Sequence, residues 1–459
     1  LTRPGAAQEA FASFASTLRP EALPDDVREK AKTLLLDTLA TMVGGSGAPG
    51  VAQVLAQLQE WGGTAQSTIA VFGGKLPAPA AAMINAVMAH ALDFDDTYDE
   101  TGLHANVCVV PALLAVAEAK GHVSGAELVA AHAVGLEISS RLALAAGSRI
   151  APGWLPTTLF GCFGATAAAG RIMGLSQEQL KHALGIVYNS AGGNRQGLLD
   201  GALTKRIQPA LYAQAAVTAA ALAKRGVTGP DRAFDGKYGL FPLFVQEGYD
   251  LATLTGDLGD RFAFLGIGIK PYPCCRGNHP SIDAALELAG GHSIDPSDIR
   301  AVTVYLANQG VADLVGQPFQ LRRNPQVDAQ FSVRYTVAAA LSRGRLGLAD
   351  FDESRIRDDR VTALANRIEV MVDPDRHGTV HLLLCNGETL SARSEHASGH
   401  PMKPLTRDAL FGKLADCVER AAWPLPPGCA EDLQRRIERV EHTDDVSGLL
   451  SATVGTRGV

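Results

Sequence analysis

Cysteine is scarce and scattered. The chain of 459 residues has seven, at Cys108, Cys162, Cys274, Cys275, Cys385, Cys417 and Cys429. They are odd in number and none forms a CxxC pair, which argues against a disulfide framework and for a reducing compartment. A basic excess is also missing. The formal net charge is −7, which argues against nucleic acid as a partner but leaves room for a local cationic pocket that takes a small anion. The opening LTRPGAAQEA has no apolar stretch of the secretory kind. The longest uncharged run of interest, 151–170, carries four glycines and two prolines. It reads as a buried loop and helix start rather than a membrane span. A cytoplasmic protein without a membrane partner is expected. The sequence holds no GxxxxGK[ST], no GxSxG and no GxGxxG following a strand, so phosphate-loop, serine-hydrolase and nicotinamide chemistry have no support.

What is present is ordinary globular material: 46% hydrophobic and 19% charged residues, enough for two or three domains, or one large and one small. Up to about residue 266 the pattern is helical. Pro24, Asp25 and Asp26 open one helix that Gly44 closes, and Gly226 closes an alanine-rich helix over 207–225. Ser124 with Glu127, and Ser176 with Gln179, read as capping boxes. Beyond it, IRAVTVYLA (299–307), RIEVMVD (367–373) and TVHLLLCNGETLSARS (379–394) are strand-like, and Asn386-Gly387 marks a hairpin. From 405 onward amphipathic helix returns, as a cap or as a tail that rejoins the helical part. The expected fold is mainly α, with an all-α domain from 1–266 and 401–459 and an α+β domain over 267–400.

Four stretches could carry chemistry. HALDFDDTYDETGLHAN (90–106) packs five acids and two histidines with no lysine or arginine. A helix over 79–96 would place His90, Asp93, Asp96 and Thr97 on roughly one face, with His104 in the loop beyond Gly102. Acids at a helix C-terminus oppose the macrodipole, a local cost typical of functional sites. The alternatives are a solvated acidic helix end, or a Mg²⁺ or Mn²⁺ site, although no HxxxH or HExxH lies within the stretch. In GALTKRIQPALYAQ (201–214), Lys205 and Arg206 precede an apolar helix. They could bind a carboxylate, supply a desolvated base, or be surface cations. In IKPYPCCRGNHPSIDAALEL (269–288), Lys270, Arg276 and His279 fall in one proline-braced loop, a carboxylate receptor with a titrating group or a linker. The adjacent Cys274 and Cys275 lack zinc or redox spacing and read as packing. In NPQVDAQFSVRYTVAAAL (324–341), Tyr335 is a polar residue in an apolar run, which by itself reads as core.

In this order these stretches resemble the MmgE/PrpD family over nearly the whole chain. The likeness rests on HALDFDDT (90–97), GWLPTTLFGCFGATAAAG (153–170), LTKRIQPALYAQAA (203–216), IKPYPCCRGNH (269–279), QFSVRYTVAAAL (330–341) and SGHPMKPLTRDALFGKL (398–414). The resemblance implies a helical domain built from both chain ends, a smaller α+β lid, a homodimer, and a metal-free, cofactor-free site between the domains. Members dehydrate 2-methylcitrate, decarboxylate cis-aconitate or epimerise iminodisuccinate. They remove a proton from carbon next to a carboxylate of a small di- or tricarboxylate. Family active-site positions match Asp93, Thr97, His104, Lys205, Lys270, His279 and Tyr335. Leu155 stands where the family commonly has a histidine in a G-[FW]-H-P-T segment, and Gln208 where one often follows KR[LI].

The implied division of labour makes His104, Lys205, His279, Asp93 and Tyr335 catalytic. Thr97, Lys270 and Arg276 bind substrate. An imidazole takes the proton, His104 or His279, and the cations hold carboxylates and the developing enolate charge. A dehydratase- or decarboxylase-like lyase is the expected outcome. An epimerase of a dicarboxylate such as iminodisuccinate, or a polycarboxylate-binding protein without catalysis, are the alternatives.

Overall fold

The computed structural model describes residues 3–291 and 294–456, and helix is the dominant element. The chain divides into two compact units. One holds the residues up to Arg195, Thr204–Gly268 and Leu410 onward; the other holds Gln196–Leu203 and Ile269–Ala409.

The first unit is built around helices that are apolar on every side, which is the pattern of core helices rather than surface ones. Asn106–Lys120 buries every residue from Asn106 to Ala117, and Pro156–Met173 buries all but Arg171 and Met173. Pro156–Met173 packs against Gly125–Ala146, Asn106–Lys120 and Thr204–Lys224, and Ala78–His90 packs against the last two. One helix among the described residues, Gly125–Arg149, is long and apolar enough to cross a membrane, and 94% of its apolar window is buried inside the protein.

Small residues permit this closeness. A Cβ on Gly164 would stand 2.0 Å from the Gly135 carbonyl oxygen and 2.1 Å from Ser139 Oγ. The two helices therefore cross almost backbone to backbone, a separation that only hydrogen at the α-carbon allows.

Helix punctuation follows the sequence in most places. Pro24 precedes Asp25–Gly44, with Asp25 and Asp26 in its first turn. The helix takes in Gly44 and runs on into a tight turn over Gly45–Gly47. Ser176 and Gln179 form a complete capping box. Ser124 forms half of one: its hydroxyl accepts from the Glu127 amide at 3.2 Å, while the Glu127 carboxylate pairs with Arg171 Nη2 at 2.8 Å. An arginine is a stronger partner for a carboxylate than one backbone amide. A two-residue ladder of β1 (Ser67–Thr68) and β2 (Lys75–Leu76) also lies in this unit.

The second unit has a four-stranded sheet of β3 (Ile299–Leu306), β4 (Ile368–Val372), β5 (Thr379–Leu384) and β6 (Thr389–Arg393), in the order β4-β3-β5-β6. β3 and β4 are parallel, with Val302 opposite Ile368; β5 is antiparallel to both β3 and β6. The hairpin forms at Asn386-Gly387, with Gly387 at φ +90°, the left-handed position such a loop requires. One sheet face, with Val302, Val304, Val380 and Leu382, packs in a common core with Ile282, Val337 and Phe351.

The close crossing makes a test. Gly164→Ala is expected to lower stability by about 1–3 kcal/mol, the usual range for overpacking. Gly412→Ala sits in the Arg407–Glu419 helix with nothing within 4 Å of the new Cβ and should raise it by about 0.5–1 kcal/mol. Urea denaturation midpoints moving in the same direction for both variants would contradict this account.

Candidate active site

The acidic stretch in the first unit is not one helical face. The helix Ala78–His90 ends at His90, and Asp93 adopts a left-handed backbone at φ +52°. The expected helix over 79–96 is corrected accordingly: a residue at positive φ cannot continue a right-handed helix. Nor is its first half a solvated helix end, although Asp99 and Glu100 beyond it are exposed. Asp95 and Asp96 have 0% exposure, Asp93 3% and Thr97 1%.

The turn after His90 removes the unfavourable dipole and replaces it with a favourable one. The Asp96 carboxylate accepts from the backbone amides of Ala105 at 3.1 Å and Asn106 at 3.2 Å. These amides open the helix Asn106–Lys120, where a helix presents unpaired donors and a partial positive charge. Burial, and then the neighbouring Asp95, nevertheless push Asp96 up to about 8, against the pull of Asn106 and Ala105. Thr97 is fixed through its backbone, its amide donating to Gly268 O at 3.0 Å and its carbonyl accepting from the Gly268 amide at 2.6 Å.

His104 lies beyond this turn and is partly exposed, with 19% of its side chain accessible. Its Nδ1 is 2.5 Å from the Asp96 carbonyl oxygen. A carbonyl only accepts, so Nδ1 carries the proton and the neutral ring has its lone pair on Nε2. The His104 amide donates to Thr157 Oγ1 at 3.0 Å, so the GWLPTT segment does reach this histidine, through its threonine. Beside His104 lies His90, with ring centroids 5.6 Å apart. His90 Nδ1 is 2.8 Å from Asp95 Oδ2, and the same oxygen is 3.7 Å from His104 Nδ1. Burial lowers the His90 pKa despite Asp95.

Lys205 enters from the first turn of the helix Thr204–Lys224 and forms a buried ion pair with the Asp93 carboxylate. Next to it, Arg206 donates from Nη1 to the Pro49 carbonyl at 2.8 Å. Burial brings Arg206 down to about 10, with Asp93 opposing. Both cations are buried, so neither is a surface charge.

Where the family commonly has histidines, Leu155 caps the start of Pro156–Met173. The Gln208 side-chain amide clasps the Asn194 backbone, accepting at 2.9 Å and donating at 3.0 Å.

Sequence reasoning missed three groups. Asp95 was off the assumed helical face. Asp37 and Lys413 form a buried pair at 2.5 Å, and Lys413 also donates to the Phe94 carbonyl at 2.7 Å, holding the acidic turn from behind. Their separation of several hundred residues leaves no local signal; the one clue is a lysine on the apolar side of an amphipathic helix. Among the described residues no group of three or more histidine, cysteine, aspartate or glutamate side chains is arranged to hold a metal.

The second unit carries the other four expected residues. Lys270 and His279 are fully buried. His279 Nε2 lies 3.2 Å from the Cys274 carbonyl and so donates to it; Nδ1 faces Arg276 Nη1 at 3.3 Å. Arg276 Nη1 also donates to the Ser398 carbonyl at 2.8 Å. The nearby Tyr272 hydroxyl donates to Asp283 at 2.7 Å, and Lys403 donates to the other oxygen of Asp283 at 3.0 Å. Tyr335 lies elsewhere in this unit. It sits in the core between Phe319 and Phe351, its hydroxyl donating to the Asp350 carbonyl. Burial raises it to about 12. This is the surrounding of a packing tyrosine.

The comparisons with known proteins agree with the sequence pattern. Residues 9–251 match the MmgE/PrpD N-terminal domain and residues 272–439 the MmgE/PrpD C-terminal domain. The chain is 29% identical to a cis-aconitate decarboxylase-like protein of Aspergillus oryzae, over 96% of each chain. It is 26% identical to cis-aconitate decarboxylase of Homo sapiens, over 97% of this chain and 94% of the human one. A 2-methylcitrate dehydratase of Cupriavidus necator is 25% identical over 49% of this chain and 48% of its own. With both of its domains matched, the chain belongs to the MmgE/PrpD family.

Proposed function

We propose that this protein is a lyase that moves a proton on carbon next to a carboxylate of a small tricarboxylate, cis-aconitate or a close analogue. The observation that carries the reading is the grouping of Lys205, Asp93, Thr97 and His104 around one buried turn. Whole-chain similarity to cis-aconitate decarboxylases supports it.

The pair with Asp93 fixes the position of the Lys205 ammonium. There it meets a substrate carboxylate or the oxygen that becomes enolate-like. His104 is the proton-transfer group. Its Nδ1 is held by a carbonyl, and Nε2 takes a proton from carbon or, as imidazolium, returns one. In a dehydratase the C–H pair forms the alkene as hydroxide leaves. In a decarboxylase CO₂ leaves, its bonding pair remains on the organic fragment as an enolate-like anion, and an acid delivers a proton to carbon. His279 suits this role less, because its Nε2 proton is spent on Cys274 and a guanidinium faces its lone pair. With Lys270 and Arg276 it belongs to the recognition of carboxylates.

Proton NMR in D₂O with cis-aconitate, 2-methylcitrate, citrate and iminodisuccinate tests the reading. New vinyl signals, with deuterium at the protonated carbon, are the expected result. Altered stereochemistry with unchanged connectivity would instead mean an epimerase, and binding without exchange a carboxylate-binding protein. His104→Gln should lower kcat by roughly 10²–10⁴-fold, the span of general acid–base catalysis, with KM nearly unchanged.

Lys205→Ala should cost activity and stability together. It leaves the Asp93 carboxylate buried without its cation, a loss of about 3–5 kcal/mol. Unchanged turnover and KM in this variant would remove Lys205 from the mechanism.

Asp96 gives a pH prediction. Its pKa rises from 3.8 to about 8, so between these values the folded chain keeps a proton that the unfolded chain has lost. Its contribution to stability falls as pH rises through that window and levels off above it. Asp96→Asn mimics the neutral acid, and its stability relative to wild type should climb from pH 4 to pH 8. A difference flat with pH in denaturation curves would show that Asp96 is ionised throughout.

A further inference from the structure

Asp95 takes no part in the proton transfer described so far, yet it has no exposed surface and lies between two imidazoles. Its Oδ2 is 2.8 Å from His90 Nδ1 and 3.7 Å from His104 Nδ1. We propose that Asp95, anchored by His90, is a positioning residue whose charge stabilises the imidazolium that forms when His104 Nε2 takes a proton, in the tautomer set by the Asp96 carbonyl. The inference rests on the reading of His104 as the proton-transfer group.

The geometry argues for it in three ways. First, His90 is the last residue of the Ala78–His90 helix, so the anchor of Asp95 sits on a rigid element. Burial keeps His90 neutral, and a neutral ring whose Nδ1 faces a carboxylate donates there. Second, the Asp96 carbonyl alone fixes the Nδ1 proton of His104 but carries no net charge to meet an imidazolium. Asp95 supplies a negative charge on the Nδ1 side. Third, the other charges around the pair are engaged or farther along the fold. Lys205 and Asp93 neutralise each other from the Thr204–Lys224 side. Asp96 is tied to the amides of Ala105 and Asn106. Asp37 pairs with Lys413, and Lys30 lies near Asp96 and Asp37.

The tautomer is read in the wild-type protein by ¹⁵N–¹H spectroscopy of the histidine rings. His104 protonated at Nδ1 near pH 7.5 is expected; protonation at Nε2 would overturn the proposal. The pH–rate profile supplies the second reading. Asp95→Asn removes the charge but keeps the shape. It should lower kcat by about 10–10³-fold with KM changed less than about threefold. The acid limb should move to lower pH by about one unit, since an adjacent opposite charge shifts a pKa by about 1–3 units. His90→Gln keeps the charge and loosens the anchor, so kcat should fall with the acid limb in place. An acid limb that stays put in Asp95→Asn, or a loss carried by KM, sinks the positioning role. Wild-type protein that exchanges no substrate proton fails at the earlier step and discards the lyase reading instead.

Discussion

Burying carboxylates is the constraint on which the first unit turns. An ionised carboxylate taken out of water without partners costs far more than one hydrogen bond returns. Asp37, Asp93 and Asp95 are buried and meet Lys413, Lys205 and His90; the equally buried Asp96 accepts from two backbone amides and escapes most of the cost by holding a proton up to about pH 8. Lys205 and Lys413, which meet Asp93 and the Phe94 carbonyl, lie far from the turn in sequence, so the shape of the turn at 91–97 depends on distant parts of the chain. Its strained residue, Asp93 at φ +52°, is held by the ion pair to Lys205, so backbone conformation and charge pairing support each other.

Close helix packing supplies the rigidity. The glycine contact between Gly125–Ala146 and Pro156–Met173 draws in the helix Asn106–Lys120 as well, because a Cβ on Gly135 would also meet Val109 at 2.7 Å. That helix presents the amides which receive Asp96, and its Asn106 Oδ1 accepts from His132 Nε2 at 2.6 Å. His132 has no exposed surface, and burial brings its pKa to about 3. A neutral imidazole at that place adds no further charge beneath the acidic turn. The alanine- and glycine-rich composition, bland as sequence, is what lets these helices pack closely enough to fix the polar groups between them.

The legible part of the molecule was the part set by local chemistry. The capping box at Ser176 and the hairpin at Asn386-Gly387 depend on residues within four positions of one another. So does the helix opened by Pro24, and all three appear in the structure. Helical periodicity failed at 91–96 because it counts residues without knowing where charge will be neutralised. Extending the helix would have left Asp96 at a C-terminus, whereas turning delivers it to an N-terminus. Glu127 diverged for the same reason, since Arg171 lies 44 positions away. Tyr335 could be placed by family likeness in an active site or by its apolar neighbours in a core, and its contacts with Phe319, Phe351 and the Asp350 carbonyl are those of the core.

The two candidate histidines show how partners, rather than residue type, assign roles. Both rings face a backbone carbonyl, but through opposite nitrogens: His104 through Nδ1 and His279 through Nε2. The carbonyl decides which nitrogen keeps the lone pair, and the next neighbour decides what that lone pair can do. For His279 the neighbour is the Arg276 guanidinium, whose N–H faces that lone pair. For His104 the Asp95 carboxylate stands 3.7 Å from Nδ1. One imidazole thus meets a guanidinium at its lone-pair nitrogen and the other has a carboxylate on its Nδ1 side, although the two look equivalent in the sequence. The difference resides in Asp95 and Arg276, and neither could be ranked above its neighbours until the fold had placed it.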